Sequence, residues 1–172
     1  MRRTVFLFLV FLAVTSCEKN SYTTFSTKYR VFFSCNIMDS PFNQTIEPGR
    51  FVSVRKTSDG LKTTDSDGHT TTVAMSEVQN GAFILGLAGI IIGTPLFNNY
   101  DFSVWAYDLG CPECDQSNKR LTFDVNGTAS CSTCGGKWDL NNNGFAVSGK
   151  YRPLYRYPVM FNMGTNTLTV KN

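Results

Sequence analysis

Ala106-Tyr107-Asp108-Leu109-Gly110-Cys111-Pro112-Glu113-Cys114 and, after sixteen intervening residues, Cys131-Ser132-Thr133-Cys134-Gly135-Gly136-Lys137-Trp138-Asp139-Leu140 decide how this chain is read. Each half holds a Cys-x-x-Cys turn, which aims two sulfurs and several backbone N–H groups at one point. Between the turns, Leu121-Thr122-Phe123-Asp124-Val125, a turn at Asn126-Gly127, and Thr128-Ala129-Ser130 read as a β-hairpin that brings the two turns face to face. Four sulfurs converging in this way are what a tetrahedral metal requires. The glycines after Cys134 fit a metal knuckle, where a side chain would obstruct the N–H groups that donate to thiolate.

Two other uses of the same cysteines stand beside metal binding. Each pair could close a disulfide, yet such a ring spans two intervening residues and removes little chain entropy. Cys111-Pro112-Glu113-Cys114 also resembles a thioredoxin-type redox turn. That chemistry places its first cysteine at a helix N-terminus, whereas Asp115-Gln116-Ser117-Asn118-Lys119-Arg120 is polar and without helical periodicity. Metal binding uses all four residues at once, and four thiolates suit zinc or a single iron of the rubredoxin kind. A site closed by four thiolates has no open coordination position, so an enzyme is not expected.

Outward from the cysteines the chain reads as β structure. Charged residues make up 17 % and aromatic residues 13 %, and threonine, valine, phenylalanine and tyrosine recur where helix-forming runs would otherwise stand. Expected strands are Tyr29 to Phe33, Phe51 to Arg55, Thr70 to Met75, Ser103 to Leu109 and a closing Leu168-Thr169-Val170. Turns are expected at Asp39-Ser40-Pro41 and Pro48-Gly49, and residues 57–70 as a loop with a hairpin around Asp67-Gly68. Gly81 to Phe97 is the most apolar stretch beyond the N-terminal segment, too short and too broken by glycine to span a bilayer. A phosphate-cradling loop would need a following Lys-Ser/Thr; a core strand with a close-packed loop is expected instead. Trp105 and Trp138 are expected in the core, Cys35 as a buried thiol and His69, the one histidine, as a solvated surface residue. Asp65, Asp67, Asp101, Asp108, Asp124 and Asp139 form no compact sequence motif. The net charge of +3 comes with no basic patch interleaved with aromatics, so nucleic acid is not an expected partner.

The start of the chain has a different character. Arg2-Arg3 precedes an apolar run from Thr4 to Val14, the length of a signal h-region, and Val14-Thr15-Ser16-Cys17 resembles a bacterial lipobox. That resemblance implies acylation of Cys17, removal of residues 1–16, a lipidated polar tether over 17–28, and a domain over 29–172 with a metal-binding subdomain near 108–141. The expected location is the cell envelope, lipid-anchored to a bacterial membrane, on the periplasmic face or the cell surface.

Cys134-Gly135-Gly136-Lys137-Trp138-Asp139-Leu140, Gly144, Ser148-Gly149, Pro153-Leu154, Tyr157-Pro158-Val159 and the Leu168-Thr169-Val170 strand together resemble a Rieske domain over roughly residues 102–172. The likeness is to Rieske-like lipoproteins of the Bacteroides type, which share the lipobox and both cysteine turns. It implies an all-β, Rieske-like β sandwich with a small cysteine-bearing metal-binding subdomain. A Rieske site places two histidines on its outer iron; here the corresponding positions are Cys114 and Cys134. A 2Fe–2S cluster would thus have four thiolate ligands and a low, ferredoxin-like potential, serving electron transfer with a redox partner protein. The alternative is structural zinc, or rubredoxin-type iron, on the same four cysteines in a binding or assembly lipoprotein. Export favours zinc, because a cluster is assembled before folded translocation and Arg2-Arg3 lacks twin-arginine flanks.

Overall fold

A computed structural model describes residues 25–76, 81–97 and 103–172. The architecture follows from one segment, Ile90-Ile91-Ile92. An unbroken apolar run in a strand means that both faces are covered, and all three isoleucines are fully buried. They belong to β6 (Ile90–Gly93), which lies between β2 (Phe51–Thr57) and β7 (Trp105–Asp108). With β3 (Gly60–Asp65), β4 (Thr70–Val73) and β12 (Arg156–Tyr157), these strands form a six-stranded antiparallel sheet in the order β12-β7-β6-β2-β3-β4.

One face of this sheet meets a second antiparallel sheet of four strands, β13-β14-β1-β5. Its members are β1 (Val31–Asn36), β5 (Ile84–Leu85), β13 (Val159–Asn162) and β14 (Thr167–Lys171). Val31, Phe33, Leu168 and Val170 of the four-stranded sheet share one core with Val54, Leu61, Ile90, Ile92 and Ala106 of the larger one. The alternation within β1 shows why: Val31 and Phe33 are buried, Phe32 faces out. The opposite face of the large sheet presents Phe51, Ile91 and Tyr107 to a separate core containing Leu121, Ala129, Trp138 and Leu140. That core is roofed by a small antiparallel sheet, β11-β10-β9-β8, formed by β8 (Thr122–Phe123), β9 (Thr128–Ser130), β10 (Lys137–Asp139) and β11 (Phe145–Ala146). The expected all-β class is therefore seen, as three antiparallel sheets. Among the described residues, no helix is long and apolar enough to cross a membrane.

The expected strands at residues 29–33, 51–55, 70–75, 103–109 and 168–170 all overlap strands of the structure. The loop expected over 57–70 does not survive: β3 (Gly60–Asp65) runs through its middle, leaving the turn at Asp67-Gly68 in place. The strand was hidden because its inward positions alternate as Leu61, Thr63 and Asp65, and Thr63 satisfies its hydroxyl by donating to Thr71 O at 3.0 Å. Trp138 is fully buried, as expected, but Trp105 is half-buried, its ring covered on one side by the Arg156 guanidinium at 4.7 Å.

Phe33, fully buried between the rings of Phe42 and Phe83 at 5.7 and 5.1 Å, gives a direct test of the sandwich. Replacing it with alanine should cost about 3–5 kcal/mol in denaturant unfolding. Phe32→Ala, on the outer face of the same strand, should stay within about 1 kcal/mol.

Candidate metal centre

Both cysteine turns grow from strand ends, the first from the well-buried β7 and the second from the smaller sheet. The first follows β7, whose last residue, Asp108, is fully buried. Its Oδ1 accepts from Gly110 N at 2.6 Å, and its Oδ2 accepts from Leu87 N at 2.7 Å and Tyr157 Oη at 2.6 Å. Burial lifts this carboxyl above its ordinary range, and the Tyr157 hydroxyl and the Leu87, Gly110 and Ala88 amides pull it part of the way back. One buried side chain so fixes where the chain leaves the sheet. Gly86 has φ +64°, and a Cβ there would collide with the Asp108 carboxylate and the Tyr157 hydroxyl, so glycine is needed.

The two turns are built alike. Asp115 N donates to Cys111 O at 2.9 Å, and Gly135 N donates to Cys131 O at 2.9 Å. Cys111 N is taken up by Lys119 O at 2.9 Å and Cys131 N by Gly136 O at 3.0 Å. The residue after each second cysteine turns left-handed, Asp115 at φ 53° and Gly135 at φ 74°. The first turn follows β7 of the large sheet and the second joins β9 to β10 of the small one, so packing of the small sheet on the large one brings them together. Cys111 and Cys131 are buried, while Cys114 and Cys134 sit half-buried at the rim.

All four Sγ atoms lie within 4.8 Å of one another. The shortest approaches run between turns, Cys111 to Cys134 at 3.6 Å and Cys114 to Cys131 at 3.8 Å. A tetrahedral ion with metal–sulfur bonds of about 2.3 Å needs sulfurs about 3.8 Å apart, so this spacing fits one ion. Each iron of a 2Fe–2S cluster takes its own thiolate pair, and the second iron pushes the two pairs apart. A cluster would therefore require the tetrad to open.

Electrostatics at Cys111, Cys114 and Cys131 are uneven. Burial raises Cys111 far above the usual thiol range, against the opposing N–H groups of Cys114 and Glu113. Burial also raises Cys114. At Cys131 burial acts in the same sense, but the Cys134 and Thr133 amides, with the Cys111 and Cys134 thiols, outweigh it and bring the group down to about 7. The Cys131 thiol is thus drawn toward ionisation, and amide donors that stabilise a thiolate also suit one bound to metal.

An outer layer holds the turns in place. Tyr151 Oη donates to Cys134 O at 3.1 Å, and Arg152 donates through Nη2 to Pro112 O at 2.7 Å and through its amide to Glu113 Oε1 at 2.7 Å. Trp138 Nε1 donates to Arg152 O at 2.8 Å, tying this segment to the core below. Asp115 gathers Lys28, Tyr29 and Tyr155 around its carboxylate. The sequence reading missed this group: its members are 40 to 87 positions apart from Asp115, and no local spacing marks them.

The remaining expected residues fall elsewhere. Cys17 lies outside the described residues. Cys35 is half-buried on β1 rather than fully enclosed, and burial still pushes its thiol up to about 12. The His69 side chain is 80 % exposed, as a solvated residue should be. It nevertheless stands with Asp65 and Asp67 in the β3–β4 turn, where their ligand atoms lie within 4.8 Å of one another. These two carboxylates, expected to be scattered, meet because Asp65 Oδ1 caps the turn through Asp67 N and His69 N at 3.0 and 2.9 Å. Asp67 is itself paired with Arg50 at 2.7 Å.

The chain matches no family model, no curated protein and no solved structure. The site stands on its own geometry: four clustered cysteines, on an all-β scaffold, that could hold a metal ion.

Asp108→Ala removes the acceptor for Tyr157 Oη, Leu87 N and Gly110 N together. Each buried donor left unpaired costs about 1–3 kcal/mol, so the thermal midpoint should fall by several degrees and metal retention should weaken in the same variant. Differential scanning calorimetry with metal analysis on one sample checks both.

Proposed function

We propose that this is a lipid-anchored envelope protein whose all-β domain holds a single zinc ion on Cys111, Cys114, Cys131 and Cys134, in a structural rather than catalytic role. The observation that carries this reading is the mutual 4.8 Å approach of the four sulfurs, which suits one tetrahedral ion. Zinc is preferred over ferrous iron because affinity for a given donor set rises from iron to zinc. A chain that folds after export would take the tighter ion. Four thiolates complete the tetrahedron and leave no position for substrate.

Cys17 as the acylated residue and the Rieske-like identity rest on the sequence resemblances, which give the reading its membrane location. An electron-transfer role is favoured by one observation, the half-buried Cys114 and Cys134 at the rim, where a partner protein could approach the metal. It would be served by a rubredoxin-type iron, or by a four-cysteine 2Fe–2S cluster if the tetrad opens.

Purified full-length protein should be colourless and carry one equivalent of zinc. Visible absorption that bleaches with dithionite would replace zinc with iron, and acid-labile sulfide would mark a cluster. Cys131→Ser should release the ion; retention of full metal content would sink the four-thiolate site. Labelling with palmitate should fail in Cys17→Ser, and labelling that persists would remove the anchor from the reading.

A further inference from the structure

The two cysteine turns repeat the same backbone, yet they differ at the residue that turns left-handed. In the second turn it is Gly135, with open space where a side chain would be. In the first it is Asp115. A residue with a Cβ is disfavoured there, and aspartate is among the few that tolerate it. Its side chain is fully engaged. Oδ1 accepts from Tyr29 Oη at 2.8 Å and Tyr155 Oη at 2.9 Å, and Oδ2 accepts from Lys28 Nζ. Lys28 Nζ also donates to Tyr155 Oη at 3.1 Å and stands 5.3 Å from the centroids of both tyrosine rings. Those rings meet edge to face at 5.5 Å.

We propose that Lys28 and Tyr29 are positioning residues of the metal centre, acting through Asp115 to hold the first cysteine turn, and that metal occupancy in turn holds this N-terminal segment against the domain. The proposal rests on the single-ion reading above. Its physical basis is that one residue serves both ends: the Asp115 amide is bonded to Cys111 O, inside the turn, while its carboxylate is bonded to residues 28 and 29. The segment is otherwise tied by few bonds. Ser26 N donates to Arg156 O at 2.7 Å, and Asn172 Nδ2 donates to Ser26 O and Tyr29 O at 2.9 and 2.8 Å. If the segment steadies the metal, the metal must steady the segment by the same factor, since coupling between two binding events is reciprocal. Lys28, expected at the end of the polar tether, then becomes part of the site.

The test uses the full chain, loaded with zinc or with cobalt(II) as a spectroscopic substitute. In Lys28→Ala/Tyr29→Phe and in Asp115→Asn, zinc release to a chelator should quicken about 10- to 100-fold, the range expected for losing an outer-layer partner. The cobalt d–d bands should weaken and broaden as the tetrahedron relaxes. Tyr29→Phe alone keeps the ring and removes one hydroxyl, so it reports a smaller change without threatening the fold. Hydrogen exchange over residues 25–30 should rise on zinc removal in the unaltered chain and be high with or without zinc in Asp115→Asn. Unchanged release and unchanged cobalt bands in the double variant overturn the proposal, as does exchange at 25–30 that ignores zinc. A chain that takes up neither zinc nor cobalt overturns the single-ion reading itself, and this coupling with it.

Discussion

Burial of the six-stranded sheet on both faces is the constraint on which the other features depend. Ile90 and Ile92 point into the sandwich while Ile91 points toward the cysteine-bearing sheet, and neither side can be given up without exposing apolar surface to water. The small sheet is short, with strands of two or three residues, and alone it would be unstable. It is held because Trp138, Leu140, Leu121 and Leu154 pack onto Tyr107, Phe51 and Ile91. The cysteine turns inherit their placement from that packing, and Asp108 sets the point at which the first leaves the large sheet.

On this rigid base the tetrad gathers negative charge once its thiols ionise. Amides aimed at Cys111 and Cys131 answer part of that charge, and a divalent cation would answer the rest. The geometry gathers all four sulfurs closely enough that they could hold a metal ion. The turns are fixed from outside by Tyr151, Arg152 and Asp115, so the distance between them is a property of the whole domain.

Much of this was legible in the sequence, for identifiable reasons. The cysteine pairs, the hairpin between them, the apolar Ile90-Ile91-Ile92 segment and the closing strand all carry local periodicity or spacing. What stayed hidden lacks a local signal. β3 is built on threonines whose hydroxyls are bonded across the sheet, so its pattern is not apolar against polar. Asp108 reads as one carboxylate among several until three donors from different segments converge on it. Asp115 reads as loop polarity until Lys28, Tyr29 and Tyr155 are brought to it by folding.

The pairing of β1 with β14 carries a consequence for when the domain can exist at all. Ser34 is bonded to Leu168 O, 134 positions away, and Val31 N to the side chain of Asn172. Among the described residues, the first strand of the sandwich in chain order pairs over most of its length with the last. Such distant contacts close slowly. A growing or threading chain must therefore carry one edge of β1 unpaired until residues 167–171 have emerged, exposed meanwhile to aggregation. Pairing of β1 waits on β14, more than a hundred positions later in the chain.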